Sequence, residues 1–154
     1  MKNFIPIVAF SIILGACKSS SGSTVSQSEG AENQPEGITE KYWKLVEING
    51  KPVILDEASK GAFIILKNVE NRVNGSGGCN TLTGTYQLDA AVQRIKFLQM
   101  VSTMMACLNM DVENELKRVL ETADSYALSP DGKNLFLNRA RMAPLAKFEV
   151  VYLE

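Results

Sequence analysis

The sequence predicts an α+β domain: a curved, barrel-like antiparallel sheet with one packed helix. Short segments with alternating or continuous apolar side chains recur from Tyr42 to Tyr152. Only Asp111 to Ala123 carries a convincing helical stripe. The links are short and rich in turn residues, so consecutive strands pair antiparallel, without the long crossovers a parallel sheet needs.

The elements follow in order. Tyr42 to Ile48 alternates with large side chains and reads as a strand. Asn49-Gly50 is a type I′ hairpin signal, with Lys51 to Leu55 as the return strand. Asp56 to Gly61 is polar and breaks the pattern. Ala62 to Lys67 is a continuous apolar run, which predicts a strand buried on both faces. A turn at Asn68 to Asn71 leads to a strand from Arg72 to Gly75. Gly75-Ser76-Gly77-Gly78-Cys79-Asn80 lacks dinucleotide-fingerprint spacing, and no amphipathic helix follows it. It reads as a strand exit needing positive φ and close backbone approach. Gly84 to Asp89 and Arg94 to Leu98 are the next strands.

In the helix, Val112, Leu116, Val119, Leu120 and Ala123 form a single stripe. Asp111 or Asn109 can cap it, and Glu113 and Glu115 suit its positive end. Ser125 to Leu128, a turn at Ser129 to Gly132, and Asn134 to Leu137 form a hairpin; Phe148 to Tyr152 is the last strand. Phe63, Ile65, Phe97 and Leu98 are expected to face Leu116, Val119 and Leu120 across the core. Such a core either packs solidly or, if the barrel is cracked, leaves a groove between helix and sheet for an apolar ligand.

Residues 1–16 read as a signal peptide: Lys2, an apolar run from Phe4 to Leu14, then small residues. That run is too short to span a bilayer as a helix. Leu14-Gly15-Ala16-Cys17 resembles a bacterial lipobox. The resemblance implies a lipoprotein with lipidation at Cys17, and two or three acyl chains of the palmitate kind anchor stably where one is marginal. Residues 17–40 follow as a tether rich in Ser, Gly, Gln and Glu. Its isolated apolar residues cannot offset the entropy of ordering it, and its r.m.s. span is roughly 25 Å by random-coil scaling. Residues 41–154 are then one domain, long enough for one core.

Charge excludes some partners. The tether holds one Lys against four Glu, and the domain is close to neutral, so no nucleic-acid stripe is visible. Histidine is absent, which rules out Ser-His-Asp and Cys-His catalysis within this chain and points away from an enzyme. No cofactor is implied. With Cys17 acylated, Cys79 and Cys107 read as a disulfide in an oxidising compartment, closing a loop worth roughly 3.5 kcal/mol in the chain-entropy model. The alternative is two buried thiols.

Asn80 reads either as the polar tip of a binding loop or as a turn residue bonding its own backbone. Thr103 reads as a β-branched strand residue, since nothing here can deprotonate it. Met100, Met104, Met105 and Met110 surround Cys107, and such sulfurs suit Cu(I), so soft-metal binding is the alternative function. Strand alternation opposes it by aiming Met104 and Met105 to opposite faces. Of the carboxylates Asp89, Asp111, Glu113 and Glu115, the last three crowd one helix start and serve capping rather than paired acid chemistry.

Trp43, Gly78-Cys79-Asn80-x-x-x-Gly84-x-Tyr86, Thr103-Met104-Met105-Ala106-Cys107 and Glu115 on the helix together resemble the META domain of HslJ-like heat-shock lipoproteins. The match covers nearly all of Tyr42 to Tyr152. Leu116 stands where a bulky aromatic often follows the Glu. The resemblance implies a barrel-like sheet with a packed helix, in a bacterial envelope protein linked to heat, antibiotic stress or secretion. It implies no catalytic mechanism. The expected function is non-enzymatic binding of an apolar ligand, peptide or partner protein during envelope stress. Lys18 after Cys17 is not an aspartate retention signal, and by resemblance to Gram-negative sorting this points to the outer membrane.

Overall fold

The computed structural model describes residues 37–55, 59–140 and 143–152; the leader, Cys17 and most of the tether lie outside the described residues. Among the described residues, nine strands and one α-helix form, with a short 3-10 turn at Val69–Asn71: β1 (Tyr42–Ile48), β2 (Lys51–Pro52), β3 (Ala62–Lys67), β4 (Arg72–Gly77), β5 (Thr81–Asp89), β6 (Arg94–Ser102), α1 (Asp111–Thr122), β7 (Ser125–Leu128), β8 (Asn134–Asn138) and β9 (Ala146–Val151). Every pairing is antiparallel. The order β1-β3-β4-β5-β6-β7-β8-β9 closes when β9 pairs back onto β1, so the sheet is a barrel of eight strands, with β2 a short flap on β1.

Local chemistry accounts for most of the elements. Asn49 (φ 49°) and Gly50 (φ 75°) take the left-handed conformations of a type I′ turn. β2 pairs for only two residues, shorter than the alternation implies. Pro52 cannot donate to a ladder. Inward residues alternate: Trp43 and Leu45 on β1, Ala62, Ile64 and Leu66 on β3, Ile95 and Phe97 on β6, Leu135 and Leu137 on β8, Ala146 and Phe148 on β9. A register shift between Leu45 and Glu47 changes the phase, so Ile48 also points in. α1 covers this core with Leu116, Val119 and Leu120.

Ile38, placed by composition in the tether, is buried, and its carbonyl accepts the Trp43 Nε1–H at 2.8 Å. The packed region therefore reaches back past Lys41. The β3 run is buried on one face only, because a closed barrel has one interior. Phe63 and Ile65 are half-buried on the outer side, where the Phe63 ring stacks on Tyr42 at 4.3 Å between centroids. They do not line the core opposite the helix, as the continuous apolar run implies.

β6 extends to Ser102, further than its alternation reads, because a bulge changes its phase. Gln99 takes φ 51°, and the register shifts opposite Gly84. A Cβ on Gly84 would stand 2.9 Å from the Leu98 carbonyl oxygen and 2.5 Å from Met100 Sδ. The motif glycine at this position thus permits the bulge.

β6 and β7 share a single ladder pair, Arg94 with Ser125. Beyond that pair α1, which connects the two strands, packs against β6 and β4. The recess between helix and sheet, bordered by Leu82, Met100, Lys117 and Leu120, holds about 60 Å³, too little for an acyl chain. Of the two alternatives for this core, solid packing and an open groove, the recess favours solid packing.

Candidate functional site

One end of the barrel gathers the glycine turn after β4, the segment after β6 and the first turn of α1. Gly77 and Gly78 are needed there for different reasons. A Cβ on Gly77 would lie 2.3 Å from Glu113 Cγ and 3.0 Å from Glu113 Cα, so its absence lets the helix start press against β4. Gly78 has φ 109°, a conformation few L residues adopt. The glycine cluster therefore acts as the sequence implies.

Asn80 is buried and ties three segments together. Its backbone N–H donates to Glu113 Oε2 at 2.7 Å, and its Nδ2 donates to Glu113 Oε1 at 2.9 Å and to the Met105 carbonyl at 3.3 Å. Its Oδ1 accepts the Met105 N–H at 2.7 Å and the Thr103 hydroxyl at 2.8 Å. The Thr103 hydroxyl also accepts the Thr81 N–H at 3.2 Å. Neither sequence reading of Asn80 holds: it is no exposed tip, and its side chain does not bond its own backbone. It is a buried cross-link, because a side-chain amide can satisfy backbone donors and acceptors at once. Thr103 lies just beyond β6 and serves the same cross-link.

The acid at the centre is Glu113, 1% exposed. Lys117 Nζ, one helical turn on, donates to its Oε1 at 2.7 Å. Burial alone would raise the Glu113 carboxyl. The hydrogen bonds from Lys117 and from the backbone and side chain of Asn80 outweigh it and hold the group below the usual glutamate range. Both oxygens of an ionised carboxylate are thus engaged, which suits Glu113 to holding the chain rather than to moving a proton. Glu115 is on the outer face of α1, accepting from Asn49 Nδ2 at 3.1 Å and pairing with Arg118. The structure does not bring it to the cluster; the glutamate that arrives is Glu113, which the sequence assigned to the helix dipole. The signal was present, since Glu113, Leu116 and Leu120 share one helical stripe. Met110 takes the N-cap position and makes no side-chain cap bond, so neither Asp111 nor Asn109 is the cap expected; Asn109, one residue earlier, accepts the Asp111 N–H on its Oδ1 at 3.0 Å.

The other motif residues hold the scaffold. The Tyr86 hydroxyl, on a buried ring, donates to the Lys67 carbonyl at 3.2 Å. Trp43 fills the core, and Gly84 permits the bulge. Cys79 and Cys107 form the expected disulfide, with Cα atoms 6.2 Å apart. Bridging removes the thiolate that copper coordination through Cys107 needs. Met104 is 98% exposed in the loop after β6, and Met100 packs near Gly84 instead.

Beside the polar cross-link is a pocket of about 410 Å³ that sequence reasoning missed. Leu55, Ala106, Val112 and the disulfide line it, and Ile54 and Leu108 form part of its lining while standing exposed. Among the described residues its polar side chains are the Ser59 hydroxyl, already donating to the Gly78 carbonyl at 3.0 Å, and Asn109. The size and lining are those of a small apolar ligand site. In the sequence Ile54 and Leu55 read as part of a return strand and Val112 as part of the helical stripe, so nothing there marked a shared pocket.

Residues 36–152 match the family model of the META domain. No curated protein matches the chain. Among solved structures, an NMR structure is 22% identical with a TM-score of 0.58, covering 75% of this chain and 93% of that one. An NMR structure of a protein from Burkholderia xenovorans is 18% identical with a TM-score of 0.58, covering 88% and 99%. A crystal structure of a DUF4847 family protein from Bacteroides vulgatus is 18% identical with a TM-score of 0.52, covering 73% and 93%. At these identities the likeness concerns the fold alone.

Proposed function

This chain belongs to the META domain family, and we propose that it is a non-enzymatic envelope lipoprotein whose barrel mouth binds an apolar ligand or apolar side chains of a partner polypeptide under envelope stress. The observation that carries this reading is the 410 Å³ pocket with Ile54 and Leu108 exposed beside it. Scattered exposed apolar residues need no explanation, but large ones bordering an apolar cavity favour an interaction site.

The described chain enters the barrel at the end away from the pocket. Glu40, where the tether ends, donates its N–H to the Leu66 carbonyl and pairs with Lys67, at the far end of β3 from the pocket. β4 runs from Arg72, paired with Lys67, to Gly77 at the pocket. Six residues at about 3.3 Å each put the pocket near 20 Å from the tether root. Replacing Cys17 with serine is expected to release the chain from membranes after a high-salt wash. Full retention by that variant would remove lipid anchoring from this reading.

The pocket is tested on the full chain carrying Cys17→Ser, with N-phenylnaphthylamine as an uncharged apolar probe. The chain is expected to take up the probe with enhanced fluorescence. Adding Ala106→Trp, which projects a ring into the cavity from an exposed loop, is expected to weaken uptake by about tenfold, a difference of ~1.4 kcal/mol. Equal uptake by both proteins would place the probe elsewhere, and none by the parent would remove the pocket as a ligand site.

A further inference from the structure

Polar bonds and one covalent bond hold the loop after β6, and they divide the work. Thr103 to Asn109 is exposed throughout. Its first part is held by Asn80, which bonds the Thr103 hydroxyl and both the N–H and the carbonyl of Met105. At its far end Asn109 accepts the Asp111 N–H. Among the described residues, Ala106, Cys107 and Leu108 make no hydrogen bond to the rest of the domain. These same three residues line the pocket. What places them there is the bond from Cys107 to Cys79.

We infer that the Cys79–Cys107 bridge is a thiol-exchange site that latches the pocket, so that reduction dismantles the pocket wall while the barrel stays folded. The inference rests on reading the pocket as a ligand site. The two cysteines differ in access: Cys107 is exposed, and Cys79 is 7% exposed beneath it. An incoming thiolate therefore meets the Cys107 sulfur, and Cys79 is the leaving group. The reductant is a dithiol. Its first thiolate bonds to Cys107 Sγ as the Cys79–Cys107 bond breaks and Cys79 departs as a thiolate. Its second thiolate attacks the mixed disulfide and frees Cys107. Two electrons and two protons pass from the dithiol, which ends as a disulfide, to the two cysteines, which end as thiols. The Asn80 cross-link to Glu113, Thr103 and Met105 contains no sulfur bond and persists. The covalent tie is thus specific to the wall, and the polar tie to the fold.

The test uses the full chain with Cys17→Ser, which leaves only the bridged pair, before and after treatment with dithiothreitol. Trp43 emission reports the fold, 15N relaxation of the Ala106 to Leu108 amides reports the wall, and N-phenylnaphthylamine titration reports the pocket. Reduction is expected to leave Trp43 emission in place and make the three amides mobile. If the wall is then placed a tenth of the time, probe affinity falls about tenfold. A Cys79→Ser/Cys107→Ser chain should behave as the reduced one. Unchanged relaxation on reduction would overturn the latch alone, as would equal probe affinity in both states. Loss of the Trp43 signal would assign the bridge to the fold instead. An oxidised chain that takes up no probe would remove the pocket reading and the latch with it.

Discussion

Replacing Glu113 with alanine is expected to destabilise the domain by about 3–5 kcal/mol, since hydrogen bonds to a charged group contribute about 1.5–3 kcal/mol each. Asn80 loses the acceptor of both its backbone N–H and one Nδ2 hydrogen, deep in the protein. Lys117 is part-exposed and recovers water, so its share of the loss is smaller. Urea unfolding followed by Trp43 emission measures the change, and a shift below about 0.5 kcal/mol, the size of an ordinary surface substitution, would show the cluster to be dispensable.

Glu113→Gln adds a pH signature. The folded-state carboxyl lies below its unfolded value. Its contribution is therefore fully present above the ordinary glutamate pKa of about 4.3 and is lost as pH falls through the lower folded value. Wild type should lose this increment on acidification, and Glu113→Gln, already without it, should not. Asp124 and Asp131 are also held low by hydrogen bonds, from Ala140 N–H and from the Ser129 hydroxyl respectively. Both proteins share these groups, so the difference between their pH profiles isolates Glu113. Parallel profiles through the acid range would contradict the assignment.

Replacing Trp43 with alanine should have an effect of similar size, about 3–5 kcal/mol for an aromatic lost from a packed core. Trp43 is fully buried, and its indole N–H satisfies the Ile38 carbonyl. The substitution removes core volume and leaves that carbonyl unpaired, so the segment joining tether to barrel should loosen too. Trp43→Phe keeps much of the ring volume but not the donor and should fall between wild type and alanine. Far-UV circular dichroism is the appropriate monitor, since the variants lack the fluorophore. A Trp43→Ala domain as heat-stable as wild type would mean that the core repacks around the gap.

The legible parts of the fold are those set by neighbours along the chain. Period-two side chains placed most strands, Asn49-Gly50 encoded a left-handed turn, and the stripe from Val112 to Ala123 encoded the helix. The Cys79–Cys107 bridge was legible from the count of cysteines left beside Cys17. In the site, the motif positions were readable and their roles were not. Sequence alone could not choose among Asp111, Glu113 and Glu115, because each is compatible with a helix start. The choice fell to Glu113 when Gly77 let the helix press close enough for its carboxylate to reach Asn80. Likewise the run Ala62 to Lys67 looked two-sided until β9 closed onto β1 and left a single interior. The pocket arose where the segment around Leu55 meets the stretch from Ala106 to Val112, far along the chain. Local periodicity determines which face a side chain occupies. What stands opposite that face depends on contacts between distant segments, and here the closure of the barrel decided it.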